Sequence, residues 1–134
     1  MKVLLDTHIA LWAIADSEKL SKEVMQMLEA EKNKIYYSIA SVWEVAIKHK
    51  IKPEQMPISE EAFFDLCEET GFELLPVEAE HIFAVKSLRR PANAPKHNDP
   101  FDRILLAQAK SENMNFLMHD SLIPYYGEKC VIFI

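Results

Sequence analysis

Residues 98–109 read NDPFDRILLAQA. Two aspartates flank a proline just ahead of an apolar, helix-favouring run. Asp99 has the right side chain for a helix N-cap, whose carboxylate accepts from the free N–H groups of the first turn. Pro100 then falls at the first helical position, where a missing N–H costs nothing. Asp102 falls in the first turn, facing the positive end of the helix dipole. Arg103, four residues after Asp99, is spaced to pair with it. Capping alone therefore accounts for both acids, and the second question they raise is whether they also hold a cation. The answer depends on where the rest of the chain brings its acids.

Working outward, short apolar runs alternate with helical patterns. KVLL (2–5), IYYS (35–38), FELLPV (72–77), MNFLM (114–118) and CVIFI (130–134) read as strands, and several lack polar alternation, as in strands covered on both faces. Helices are expected over 7–15, after a cap at Ser17 or Ser21, over 39–50, from Ser59 to Thr70 with Gly71 as the stop, over 78–88, and from Pro100 onward. Val24, Met25 and Leu28 would face inward on the second of these. Prolines in KPEQMP (52–57) break the third. RRPANAPKHNDP is the longest irregular segment, and it delivers the opening aspartates. This alternation predicts an α/β protein with helices on both faces of a central, mostly parallel five-stranded sheet.

The chain has 134 residues, enough for one domain with a real core. It contains no apolar run of membrane-spanning length. Asp6 interrupts the N-terminus before a signal-peptide core develops, so the expectation is a cytoplasmic protein. Cys67 and Cys130 read as reduced, buried thiols. With only two glycines, a Gly-rich phosphate loop is excluded. The net charge of −6 argues against a broad electrostatic grip on nucleic acid. Two basic clusters nevertheless stand out, one at Lys48, His49, Lys50 and Lys52 and one at Arg89, Arg90, Lys96 and His97. Each taken alone reads as solvated surface.

On this scaffold Asp6 ends the first strand and Asp120 follows the fourth. Glu44 lies in the second turn of the helix after strand two. Asp102 joins them if the irregular segment crosses the sheet to that same edge. Ligands of open parallel sheets bind beyond the carboxyl ends of the strands, where strand order reverses. Four converging carboxylates repel one another unless a divalent cation sits among them, and hard oxygen donors favour Mg²⁺ or Mn²⁺. The chemistry such a site suits is metal-assisted phosphodiester hydrolysis. Each acid also has a plain structural use: Asp6 can cap the helix beginning at Thr7, Glu44 can sit on a helix surface, and Asp120 can open a turn before Ser121.

Several motifs, together covering essentially the whole chain, resemble the PIN-domain ribonucleases, and in particular VapC-like toxins of type II toxin–antitoxin systems. LLDTHIALWAI resembles the family's opening strand and first acid, which carries over to Asp6, with Thr7 as its hydroxyl neighbour. SIASVWEVAIK resembles the second motif and places its glutamate at Glu44. HNDPFDRILLAQA resembles a VapC subgroup signature, with the third acid at Asp102 and Asp99 as an additional acid. FLMHDSLIPYY resembles the last motif, with the fourth acid at Asp120. The family often has a threonine or serine two residues before that acid, where this chain has Met118.

The resemblance implies one three-layer α/β/α PIN-like domain over residues 1–134. It implies a Mg²⁺- or Mn²⁺-dependent endoribonuclease toxin acting on structured RNA such as tRNA or rRNA. Asp6, Asp102 and Asp120 would hold the metal and Glu44 would help orient it and the attacking water. A homodimer and a small VapB-like antitoxin are the implied partners. Lys48, Lys50, Arg89, Arg90 and Lys96 are candidate RNA contacts, and Trp12, Trp43, Phe63 and Phe64 divide between core packing and an interaction groove. Two alternatives stay open. One is a catalytically weak antitoxin-binding, autoregulatory subunit, suggested by Met118; the other is a PIN nuclease of RNA maturation.

Overall fold

The computed structural model describes residues 1–134. Five strands form one sheet: β1 (Lys2–Leu5), β2 (Lys34–Ser38), β3 (Glu73–Leu75), β4 (Asn115–Met118) and β5 (Val131–Phe133). Their order is β3-β2-β1-β4-β5 and every pairing is parallel. Order reverses at β1, so the gap beyond the carboxyl ends of β1 and β4 is the switch point where open sheets place ligands. The Asp6 N–H donates to the Leu117 carbonyl at 3.0 Å, which ties the residue after β1 to β4 at this edge.

Side-chain alternation along the strands divides the core in two. Val3, Leu5, Ile35, Tyr37 and Leu117 point to one face, where they meet α1 (Thr7–Ile14), α2 (Lys22–Glu29) and α4 (Glu60–Thr70) through Ile9, Ala10, Leu28, Phe63 and Cys67. Leu4, Tyr36, Leu75, Phe116 and Met118 point to the other, against Leu105, Leu106 and Ala109 of α6 (Pro100–Ser111). Helix α3 (Ile39–Ile51) bridges the layers, with Ala40 in one core and Val45 in the other. The three-layer α/β/α arrangement expected from the sequence is the one observed.

The caps are those the sequence marks. Ser21 accepts from the Val24 N–H, Ser59 from the Ala62 N–H, and Gly71 closes α4 in the left-handed region at φ 91°. Asp99 caps α6 by accepting from the N–H groups of Phe101 (2.9 Å) and Asp102 (3.3 Å). A buried polar clamp fixes α6 across the sheet: Ser38 Oγ donates to Gln108 Oε1 at 2.6 Å, and Gln108 Nε2 donates to the Pro76 carbonyl at 3.1 Å. Gln108 is fully buried, so its amide is satisfied by these fixed partners rather than by water.

Some expectations need correction. The helix expected over 78–88 stops as α5 (Ala79–Ala84) and tightens into a 3₁₀ turn at Val85–Ser87, a common ending where a chain leaves its helix. Arg103 does not pair with Asp99. The Asp99 carboxylate is committed to the cap, and Arg103 Nε is buried without a partner. Cys67 is buried, and burial pushes its thiol up to about 12, but Cys130 is only half-buried; both are free thiols. The four aromatics do divide: Trp43 is 64 % exposed and packs edge-on against Phe101, whereas Phe63 is fully buried.

Candidate active site

The strand edge at the switch point opens into a cleft of about 370 Å³ lined by Asp6, Glu44, Asp99, Asp102 and Asp120. All five acids singled out in the sequence therefore meet, and the irregular segment does cross to this edge. Trp12 and His119 form part of the wall, their rings edge to face with centroids 5.3 Å apart.

Local folding places each acid through the same bonds that build the fold. Asp6 is buried and caps α1: Oδ1 accepts from the Ile9 N–H at 2.8 Å, and Oδ2 accepts from the His119 N–H at 3.2 Å. Burial raises its pKa above the ordinary value, and those two N–H donors only partly offset it. Glu44 is buried on α3. Its Oε1 accepts from Thr7 Oγ1 at 2.5 Å and its Oε2 from Lys48 Nζ at 2.5 Å. Thr7 has one hydroxyl proton, which goes to the carboxylate, so its oxygen accepts from Ser41 Oγ, 2.9 Å away. Burial acts to lower the Lys48 pKa, but the Glu44 carboxylate outweighs it and the ammonium stays charged.

The other side is electrostatically loaded. Asp120 Oδ1 accepts from the Leu122 N–H at 2.8 Å. Asp102 receives no backbone N–H; the His97 ring is the protein group within hydrogen-bond reach of it, with Nε2 3.3 Å from Oδ2. Burial, a hydrogen bond to Asp120 and the charges of Asp99, Asp120 and Asp6 push the Asp102 carboxyl up to about 9. Burial would also raise Asp120, but the Leu122 N–H, the Asp102 hydrogen bond and the His97 ring together hold it below the usual carboxylate range. The pair thus resists double ionisation, as expected of neighbouring carboxylates that cannot both ionise cheaply.

Donor chemistry tests whether a cation suits this place. One ligand atom each from His97, Asp102 and Asp120 lies within 4.8 Å of the others, and Asp6 and Asp99 face the same cleft. The donors are mostly carboxylate oxygens, with no thiolate, and Asp102 is ionisable there only at the expense of repulsion. A hard divalent cation fits such a set and relieves that repulsion.

Of the basic residues considered for RNA, only Lys48 reaches the acids. Lys50 and Lys96 are exposed away from the cleft lining. Arg89 is exposed and bonds the Lys86 and Leu88 carbonyls. Arg90 folds inward, its guanidinium carbon 5.6 Å from the Tyr126 ring centre and its Nε and Nη2 buried without partners. Sequence reasoning placed His97 in a solvated basic cluster. The residue is instead buried, 6 % exposed, between Tyr126 and Asp102. Irregular chain carried no local signal for this burial, which is fixed by Tyr126, distant in sequence. Met118 is fully buried in the core under α6 and is absent from the cleft lining.

Comparison with known proteins agrees with this fold. The chain superposes on the VapBC2 complex of Rickettsia felis bound to a promoter DNA fragment, with a TM-score of 0.69, 17 % identity, and coverage of 100 % of this chain and 98 % of that one. It also superposes on a toxin–antitoxin complex from Klebsiella pneumoniae, with a TM-score of 0.60, 21 % identity, and coverage of 97 % and 95 %. No curated protein matches by sequence. The PIN-domain family model matches residues 3–128, nearly the whole chain, and the chain belongs to the PIN-domain family.

Proposed function

We propose that this chain is a VapC-like endoribonuclease toxin, one PIN-like domain over residues 1–134, that hydrolyses phosphodiester bonds in RNA with Mg²⁺ or Mn²⁺. The observation that carries the reading is the convergence of Asp6, Glu44, Asp102 and Asp120, from four separate segments, on one cleft at the sheet's switch point. PIN domains are nucleases and generally use divalent metals, and the two superposed structures are toxin–antitoxin complexes, which supports an antitoxin partner.

In this reading Asp6, Asp102 and Asp120 hold the ion. When bound, it supplies Lewis-acid stabilisation of the phosphodiester and a more acidic water. The chain's own residues do the rest. Asp6, clamped by two backbone N–H groups, is the fixed point of the site. Glu44, held between Thr7 and Lys48, orients the attacking water and keeps an ammonium beside the cleft. Asp102, kept hard to ionise by burial and by its acidic neighbours, would hold the ion as a carboxylate whose repulsion the cation relieves. Unpaired loops of structured RNA, such as those of tRNA or rRNA, suit a cleft that must reach the backbone. Asp99 caps α6 and faces the cleft as an additional acid.

A homodimer, a small VapB-like antitoxin and a cytoplasmic setting complete the proposal; no helix is long and apolar enough to cross a membrane. The catalytically weak alternative rested on Met118, and that side chain packs in the core rather than in the cleft. The test is incubation of the purified chain with total tRNA and rRNA in Mn²⁺ or Mg²⁺, beside EDTA and Asp6→Asn controls. Discrete cuts that disappear in both controls are expected. Intact RNA in every metal, from a protein whose expression does not slow growth, would overturn the proposal.

A further inference from the structure

The segment before α6 carries a histidine that the four-acid scheme does not use. His97 sits in irregular chain, yet only 2 % of its side chain is exposed. Its Nδ1 is 2.8 Å from the Tyr126 hydroxyl, and its Nε2 is 3.3 Å from Asp102 Oδ2 and 3.9 Å from Asp120 Oδ2. A histidine that serves packing alone has no need to end on a carboxylate. This one spans from Tyr126 in the second core to the acids, and its Nε2 lies within hydrogen-bond distance of Asp102.

We propose that His97 is a positioning residue that aims the Asp102 carboxylate at the metal, and that Tyr126 selects the imidazole tautomer that allows it. The inference rests on the metal-site reading above. A neutral imidazole has one N–H and one lone pair. With the Tyr126 O–H donating to Nδ1, the ring proton must sit on Nε2, where it is donated to Asp102. The opposite tautomer would turn the Nε2 lone pair toward two carboxylate oxygens. Tyr126 is suited to the donor role. It is buried, the Arg90 guanidinium lies against its ring, and burial raises its pKa, so it remains a phenol. The relay therefore runs in one direction, from Tyr126 to His97 to Asp102. Outer partners of this kind hold metal-ligating groups in one orientation, and their loss typically weakens metal binding by about 10- to 100-fold.

The experiment has two readouts. Calorimetric Mn²⁺ titration compares wild type with His97→Leu, His97→Gln and Tyr126→Phe, each checked for folding by circular dichroism. Separately, ¹⁵N spectra of the imidazoles in metal-free protein, with His97 assigned by its loss in the Gln variant, report which nitrogen carries the proton. Mn²⁺ affinity should fall about 10- to 100-fold in His97→Leu, recover most of that loss in His97→Gln, which keeps an N–H donor near the Nε2 position, and fall several-fold in Tyr126→Phe. The wild-type spectrum should show Nε2–H, and Tyr126→Phe should admit the Nδ1–H form. Should His97→Leu fail to fold, His97→Gln and Tyr126→Phe still decide the matter by their opposite expected ranks. Unchanged affinity in folded His97→Leu, or an Nδ1–H wild type, would overturn the proposal. A wild type that shows Nε2–H but binds no Mn²⁺ would instead overturn the metal-site reading, and with it His97's role toward the ion.

Discussion

On one side of the cleft Asp6 accepts from two backbone N–H groups and Glu44 from a hydroxyl and an ammonium, while on the other Asp120 keeps one backbone donor and Asp102 none. The first side is assembled by folding itself: the bonds that orient its acids are also a helix cap and a link between α1 and α3. The second side holds charge that folding leaves poorly compensated, with Asp102 pushed up to about 9. The difference teaches that acids sharing one cleft need not contribute alike. One pair is held by bonds that also build the fold and offers preformed oxygens; on the other side Asp102 resists ionising in the metal-free fold and has the most to gain from a cation.

The largest expected effect breaks this symmetry directly. Asp102→Asn should weaken Mn²⁺ binding by at least about 100-fold, by loss of an anionic ligand, and abolish cutting, yet raise the thermal midpoint of the metal-free protein. Asp6→Asn should also abolish cutting but lower the midpoint. Its amide cannot accept from both Ile9 and His119, and a lost bond of this kind costs about 1 kcal/mol. Calorimetric titration and thermal melts of both variants without metal check the pair. Equal or reversed midpoints would erase the contrast.

Next comes pH. The Asp102–Asp120 pair keeps a proton in the folded state well above the ordinary carboxylate value of 3.8 at which it is lost on unfolding, with the Asp102 carboxyl pushed up to about 9. Between those values the native state binds more protons, so stability falls as pH rises, at about 1.4 kcal/mol per unit for a whole proton. The metal-free melting temperature should therefore drop from pH 6 to pH 9. Asp102→Asn should flatten that slope, and so should saturating Mn²⁺, whose affinity should rise with pH because binding expels the proton. Melting temperatures across that range, with and without metal, are the measurement. A slope unchanged by the substitution would assign the proton elsewhere.

A smaller effect at the metal is expected on the preformed side. Thr7→Val removes the hydroxyl between Glu44 and Ser41 and leaves both buried groups short of a partner. Stability should fall by about 1–3 kcal/mol, read as a lower urea midpoint, while Mn²⁺ affinity changes only a few-fold. A collapse of metal binding with stability intact would make Thr7 part of the ion's shell.

What the sequence made legible follows from how local each cause is. Continuous apolar runs such as KVLL and NFLM announced covered parallel strands, and Ser21, Ser59, Gly71 and Asp99 announced helix ends, because caps act within a few residues. The acids were legible as a set for the same reason: Asp6, Asp99 and Asp120 each bond N–H groups two or three residues on, so their places follow from the elements they end or begin. His97 was not legible. Irregular chain has no period, and only Tyr126, distant in sequence, fixes where the ring points. Arg90 went astray for a related reason. Residue type names the usual environment of a side chain, whereas this one turned inward through its contact with Tyr126.

The smallest effect on the site is expected at Met118, where many PIN domains carry a hydroxyl. Strand alternation sends Leu117 to the α1 side of the sheet and Met118 under α6, fully buried among Leu4, Leu105 and Phe116. Asp120 is turned instead by the Leu122 N–H and faced by His97. A hydroxyl at position 118 thus has no vacant role to fill. Met118→Thr should leave Mn²⁺ affinity and cutting unchanged while lowering stability by about 1–3 kcal/mol, from a buried hydroxyl and the void beside it. Tighter Mn²⁺ binding or faster cutting by Met118→Thr would show that the loaded side of the cleft lacks a donor that His97 does not replace. Unchanged binding, together with its loss in His97→Leu, would show that in this chain the imidazole has taken over the orientation of that side.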